Sequence, residues 1–168
     1  QFDGLIARLG DETRALLAAM GYFEPRVNVD ATPGKVKVTV DPGQRTLISS
    51  VNLKIAGPVT ADAEFVEELE DSWSLNKGDP YTASTWAAGK RSLLVALKQA
   101  GYLRAAIQDS QLRVDRDKLE ASLTVLAYSG PPIAFGELTV DGLDRYERSV
   151  VENLRTFKPG ERFSQTAL

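Results

Sequence analysis

The sequence contains no cysteine and no histidine. Without cysteine there is no disulfide framework and no thiolate metal site, although its absence does not fix the compartment. Without histidine the chain lacks the commonest general base near neutral pH and the commonest metal ligand, which removes most hydrolytic triads and zinc sites. No apolar run approaches the ~18–20 residues that a membrane helix needs, and no signal peptide is recognisable. Excess positive charge is missing as well. The net charge is −3 and no basic stripe is present, so the phosphate neutralisation that supplies most nucleic-acid affinity is not available. These absences lead us to expect no enzyme activity, no cofactor, no metal and no nucleic-acid partner. Gln1 opens the chain without a methionine and Leu168 closes it in what reads as an unfinished helix, so a fragment or processed piece is expected.

What is present is an ordinary globular composition, 43% hydrophobic and 26% charged. The 168 residues allow one large or two small domains with a core. The chain also echoes itself. Met20-Gly21-Tyr22-Phe23 returns as Ala100-Gly101-Tyr102-Leu103, 80 residues on. Leu75-Asn76-Lys77-Gly78-Asp79-Pro80-Tyr81-Thr82 returns as Phe157-Lys158-Pro159-Gly160-Glu161-Arg162-Phe163-Ser164, 82 residues on. Pro42-Gly43-Gln44-Arg45-Thr46-Leu47-Ile48 and Gly130-Pro131-Pro132-Ile133-Ala134-Phe135 each open an apolar strand. Three echoes in one order indicate a repeated supersecondary unit.

Gly21 and Gly101 each follow an amphipathic helix, where glycine can take the left-handed conformation of a helix stop. In that ending the following tyrosine, Tyr22 or Tyr102, packs on Leu17 or Leu97. A complete unit is expected from about Arg45 to Tyr128. Its first strand lies near 46–56, with Val51, Leu53 and Ile55 on one face. Thr60 or Asp62 caps a short helix with Phe65, Val66, Leu69 and Trp73 on one stripe. A helix over about 82–100 turns Trp86, Leu93, Ala96, Leu97 and Ala100 inward. A strand near 104–114, a loop at Asp115–Lys118 and a strand over 119–128 follow, the last with Leu119, Ala121, Leu123, Val125 and Ala127 inward. Before this unit come a helix ending at Gly21, strands near 26–30 and 35–41, and a Pro33-Gly34 turn. After it come a strand near 133–141 and a helix with Tyr146, Val150, Val151 and Leu154 inward.

The strand–helix–helix–strand–strand order resembles that of the POTRA domain, the polypeptide-transport-associated module. So do the pairs Gly21-Tyr22 and Gly101-Tyr102 and the loops Leu75-x-x-Gly78-Asp79-x-Tyr81 and Phe157-x-x-Gly160-Glu161-x-Phe163. Phe135-Gly136-Glu137-Leu138-Thr139-Val140-Asp141-Gly142 is similar to a strand pattern of the same family. The resemblance implies an α+β fold of tandem POTRA modules. Each is βααββ, a three-stranded mixed sheet with two helices on one face. It implies a partial module over 1–43 (second helix and last two strands), a complete one over 44–129, and the first half of a further one over 130–168. The motif residues are Gly21, Tyr22, Gly78, Tyr81, Gly101, Tyr102, Gly160 and Phe163.

Tandem modules of this kind are similar to the arms of the Omp85 superfamily, whose members carry a C-terminal outer-membrane barrel. The implied place is the periplasmic face of a Gram-negative outer membrane. The implied role is a scaffold for β-barrel assembly. Residues 16–25, 40–43 and 75–79 look most like a translocation-and-assembly subunit. That implies a TamB-like inner-membrane-anchored partner and unfolded outer-membrane protein clients. The alternative is the arm of another Omp85 machine, a barrel-assembly protein or a two-partner secretion transporter.

In such a sheet the strand near 104–114 lies at an edge, where free N–H and C=O groups can pair with an extended chain. Ala106, Gln108, Ser110 and Leu112 are the candidate partner-binding residues. Ile107 and Leu112 are five apart and cannot share one face of a regular strand. A bulge within Gln108–Gln111 reconciles them, and so does a strand that frays or starts later. Tyr81, Tyr128 and Ser129-Gly130-Pro131-Pro132 are expected at the joint between the second and third modules, which the prolines stiffen.

Other signals have plainer explanations. Glu64, Glu67, Glu68, Glu70 and Asp71 read as the solvated face of a short helix. Asp115-x-Asp117 lacks the glycine and terminal glutamate of a calcium loop. Gly89-Lys90-Arg91-Ser92 lacks the upstream glycine and strand of a phosphate loop and reads as helix surface. Trp73 and Trp86 are assigned to the core. A KH-type RNA module would need a Gly-x-x-Gly clamp between basic flanks, and none is present.

Overall fold

The computed structural model describes residues 2–142 and 148–164. A helix α1 (Phe2–Ala19) is followed by a hairpin of β1 (Arg26–Thr32) and β2 (Lys35–Asp41). The hairpin is antiparallel, from Arg26 opposite Asp41 to Thr32 opposite Lys35. Proline fixes φ at the first corner of its turn and Gly34 takes φ +78° at the second, a type II connection. Opposed residues share a face, so Val27, Val29 and Ala31 align with Val40, Val38 and Val36. α1 packs against β1. The β2 valines stay between 38% and 47% exposed.

The next elements are β3 (Leu47–Ala56), a 3-10 turn (Pro58–Ala61), α2 (Ala63–Asp71), α3 (Ala83–Gln99), β4 (Ala106–Asp115), β5 (Glu120–Tyr128) and α4 (Arg148–Leu154). The three strands form one sheet in the order β3-β5-β4. β4 and β5 make a hairpin. β3 runs parallel to β5: the Leu47 amide donates to the Leu119 carbonyl, and at the other end the Ser129 amide donates to the Ala56 carbonyl. The last strand in sequence is thus the central one, and the sheet is mixed. This is the βααββ arrangement expected over this stretch.

The chain forms two compact units. The first comprises Gln1–Leu53, Trp73–Arg91 and Asp109–Val125; the second comprises Lys54–Ser72, Ser92–Gln108 and Leu126–Leu168. In the first, Ile48, Trp73, Leu75, Tyr81, Trp86, Leu123 and Val125 are buried. Trp73 meets Trp86 edge-to-face, ring centres 6.3 Å apart at 85°. Gly89 lies beside them: a Cβ there would stand 3.3 Å from the Trp73 ring. Gly89 is therefore buried on the inward side of α3, not on the helix surface as expected, and any side chain there would press on the Trp73 ring and Leu75.

In the second unit Val59, Leu69, Leu93, Leu97, Tyr102, Ala105 and Ala127 are buried. Asp62 is the residue that caps α2, its Oδ1 accepting from the Phe65 amide at 3.3 Å. The Thr60 hydroxyl instead donates to the Gly57 carbonyl at 2.9 Å. Ser129, fully buried, accepts from the Val59 amide and donates to the Gly130 carbonyl.

Three expectations need correction. Leu119 is not a strand residue. It closes the β4–β5 hairpin at φ +54°, after the Lys118 amide has bonded back to Asp115 Oδ1. The strand expected over 133–141 shrinks to one bridge between Ala134 and Arg162. A strand needs a neighbour to take its backbone groups, and among the described residues none runs along 136–142. In α4, Val150 is 48% and Leu154 76% exposed, so neither points inward; nothing described covers that short helix. Tyr146 and the side chain of Val151 lie outside the described residues.

Candidate functional site

Both glycine-aromatic pairs end their helices in the same way. The Tyr22 amide donates to the Leu17 carbonyl and the Gly21 amide to the Ala18 carbonyl. Likewise the Tyr102 amide donates to Leu97 and the Gly101 amide to Lys98. This double bond pattern with φ +93° and +90° at the glycines is a Schellman ending. The carbonyl of the buried glycine is then free to accept from elsewhere, and in each case it does.

At Gly21 the acceptor is used by the Thr46 amide at 2.9 Å. The Thr46 carbonyl takes the Tyr81 amide at 3.1 Å, the Ile48 amide donates to Asp79 at 2.8 Å, and the Gly78 amide donates to the Ile48 carbonyl at 2.8 Å. Asp79 also braces its own loop, its Oδ2 accepting from the Asn76 amide. The glycine turn, the entry to β3 and the loop before α3 are thereby stitched into one backbone clamp. Phe23 lies against Tyr81, ring centres 5.9 Å apart. Tyr81 is thus a member of this clamp, not of a later joint as expected, and burial pushes its phenol pKa up from the ordinary value. The guanidinium of Arg45 sits 5.6 Å from the Tyr22 ring centre, and its Nε donates to the Met20 carbonyl.

The same clamp is built a second time. The Ile133 amide donates to the Gly101 carbonyl at 2.9 Å and the Phe163 amide to Ile133 at 2.8 Å. The Phe135 amide donates to Glu161, the Gly160 amide to Phe135, and the Lys158 amide to the Glu161 carboxylate. Phe135 stacks on Phe157, ring centres 4.1 Å apart. One detail differs. The position of Arg45 is Pro132 here, and the position of Pro80 is Arg162. Arg162 lies 4.4 Å from the Tyr102 ring centre, so an arginine again covers the tyrosine but comes from the opposite arm. It also pairs with Asp62 at 3.6 Å. An open cavity of about 600 Å³ lies beside this clamp, lined by Pro58, Asp62, Tyr102, Ile133 and Arg162 among others.

The other candidate surface is β4, an outer strand of its sheet. Ala106, Gln108 and Ser110 are exposed and Leu112 is half-buried. Ile107 and Leu112 are both half-buried despite their odd spacing, and β4 has ten residues where β5 has nine. Lys90 of α3 reaches this strand, its Nζ donating to the Ser110 hydroxyl at 3.2 Å and lying 4.7 Å from the Trp86 ring centre. Among the described residues no three carboxylates gather as a metal site, and no helix is long and apolar enough to cross a membrane.

Sequence patterns did not single out Arg45, Thr46, Asp62 or Arg162 as clamp residues. Thr46 is fully buried and its hydroxyl has no partner among the described residues, whereas the equivalent residue in the second clamp is Ile133. A buried unpaired hydroxyl is costly. Thr46→Val should therefore stabilise the chain by about 1 kcal/mol, read as a higher midpoint in a urea melt with an unchanged slope.

No family model matches the sequence. Among solved structures the chain is similar to POTRA domains 3–5 of BamA from Haemophilus influenzae. The identity is 20% over 94% of this chain and 63% of that one, with a TM-score of 0.51. It is also similar to the N-terminal domain of Omp85 from Thermosynechococcus elongatus, with 18% identity, 96% and 67% coverage and a TM-score of 0.44. The chain spans a little under two thirds of the BamA structure. The sheet with its last strand in the middle, the two helices between its first strand and its hairpin, and the likeness to BamA POTRA domains agree: the chain has the POTRA fold.

Proposed function

We propose that this chain is a periplasmic arm of an Omp85-type outer-membrane assembly protein and acts as a non-catalytic scaffold that docks other chains. Its modules span 1–43, 44–129 and 130–168. Docking occurs by strand addition at Ala106, Gln108, Ser110 and Leu112. The observation that carries this is the outer position of β4 together with the exposure of its central residues. Backbone pairing at such an edge is indifferent to client sequence, which suits a module that handles many unfolded barrels.

Within the superfamily we assign the chain to the TamA type. Leu16-Leu17-Ala18-Ala19-Met20-Gly21-Tyr22-Phe23-Glu24-Pro25, Val40-Asp41-Pro42-Gly43 and Leu75-Asn76-Lys77-Gly78-Asp79 resemble the N-terminal part of TamA. The partner is then a TamB-like, inner-membrane-anchored protein. The fold likeness to BamA favours a barrel-assembly arm as the second choice.

Consecutive strand residues point their amides to opposite sides. Of Ser110→Pro and Gln111→Pro, one removes an outward donor and the other a bond within the sheet. The variant that keeps its melting profile should bind the periplasmic C-terminal part of TamB about fivefold to tenfold more weakly, the loss of one main-chain bond. Equal binding by that variant and the parent would remove β4 as the docking edge. No binding by the parent would point to a different Omp85 machine.

A further inference from the structure

The two clamps share every backbone bond and differ in where the arginine stands. Arg45 precedes the strand entry and lies by the Tyr22 ring, while Pro80 stands on the loop side of the Leu47–Pro80 bridge. In the second clamp proline precedes the entry, and Arg162 occupies the loop side of the Ala134–Arg162 bridge. Two different solutions reach one contact, a guanidinium on the face of the tyrosine that follows the helix-stopping glycine. Hydrogen bonds alone do not require it, since the same set forms with either arrangement.

We propose that the arginine laid on the post-glycine tyrosine is the positioning element of each clamp, setting the direction in which the chain leaves towards its next strand. A planar cation held on the tyrosine face adds to the backbone bonds of each clamp a side-chain contact that ties the helix-ending turn to one of its two arms. Either arm can supply the cation because both arms are bridged to each other beside the same ring. The Arg162–Asp62 pair is a secondary contact, because it is nearly half exposed on both sides. The inference goes beyond the scaffold role and holds whether or not β4 binds clients.

The absence of cysteine permits clean spin labelling. In the second clamp, labels at Glu68→Cys and Glu137→Cys report the exit direction. The parent should give one narrow distance distribution. Arg162→Ala should broaden it, the ratio of the set to the unset state falling by roughly threefold to tenfold, as expected of one cation–π contact. The arm exchange Pro132→Arg with Arg162→Pro, which copies the first clamp, should restore the narrow distribution, and Asp62→Asn should leave it narrow. In the first clamp, labels at Thr39→Cys and Ser84→Cys should show the same for Arg45→Ala and for Arg45→Pro with Pro80→Arg. Narrow distributions in both alanine variants would overturn the proposal, as would arm exchanges that broaden as much as the alanines. Broadening by Asp62→Asn equal to that of Arg162→Ala would assign the role to the ion pair instead and overturn it too.

Discussion

Alanine at Gly21 or Gly101 should cost roughly 3–5 kcal/mol of stability, among the larger effects a single methyl can have. Two independent terms add. A left-handed backbone at φ +93° or +90° costs a non-glycine residue about 1–2 kcal/mol by itself. The new Cβ would also overlap the Tyr81 carbonyl oxygen at the first position and the Phe163 carbonyl oxygen at the second. These are backbone atoms held in the clamp, so relief requires breaking the bonds to Thr46 or Ile133. Gly78 and Gly160 separate the two terms. Their φ values are +95° and +83°, yet nothing lies within 4 Å of a Cβ on either. Gly78→Ala and Gly160→Ala should therefore show only the conformational term of about 1–2 kcal/mol. Differential scanning calorimetry of the four variants checks this. The clamp glycines should drop the melting temperature by on the order of 10 °C and the loop glycines by much less. Equal drops in all four would mean that the clamps yield easily and that close approach contributes nothing.

Truncating Leu97 should be comparably severe. Leu97 has no exposed surface, and its carbonyl accepts the Tyr102 amide. A fully buried leucine cut to alanine costs about 2–5 kcal/mol, through lost transfer energy and the cavity left behind. Leu17 holds the same place in the first motif but is only half-buried. Leu17→Ala should then cost about half as much. Urea melts of the pair test whether burial or motif position decides the penalty. Similar losses would show that the turn, not the core around it, sets the energy.

The contrast between these leucines shows which parts of the molecule were legible from sequence. Gly21-Tyr22 and Gly101-Tyr102 were readable because a Schellman ending is local: its donors and acceptors lie within six residues. The β4–β5 hairpin and the inward rows of α3 were readable from periodicity for the same reason. The clamps were not. Their bonds join the Gly21 carbonyl to Thr46 and Thr46 to Tyr81 through main-chain atoms, which leave no mark on side-chain patterns. The exchange of arginine and proline between arms hid the recurring contact further, since aligning the echoes sets Arg45 against Pro132 and Pro80 against Arg162. Leu119 was misplaced because alternation continued through it, while its left-handed φ was dictated by hairpin closure. Residues 133–141 read as a strand because they alternate, but alternation does not supply a neighbour beyond the Ala134–Arg162 bridge.

The parallel pairing of β3 with β5 also sets a timetable. Ser49 bonds to the Ala121 carbonyl across 72 residues of chain. The β4–β5 hairpin, by contrast, closes over a few residues and can form on its own in microseconds. A chain made from its N-terminus therefore exposes β3 long before its mate exists. Until that mate is in place Val51, Leu53 and Ile55 are open to any other strand. Formation of this sheet is governed by long-range closure rather than by local propensity.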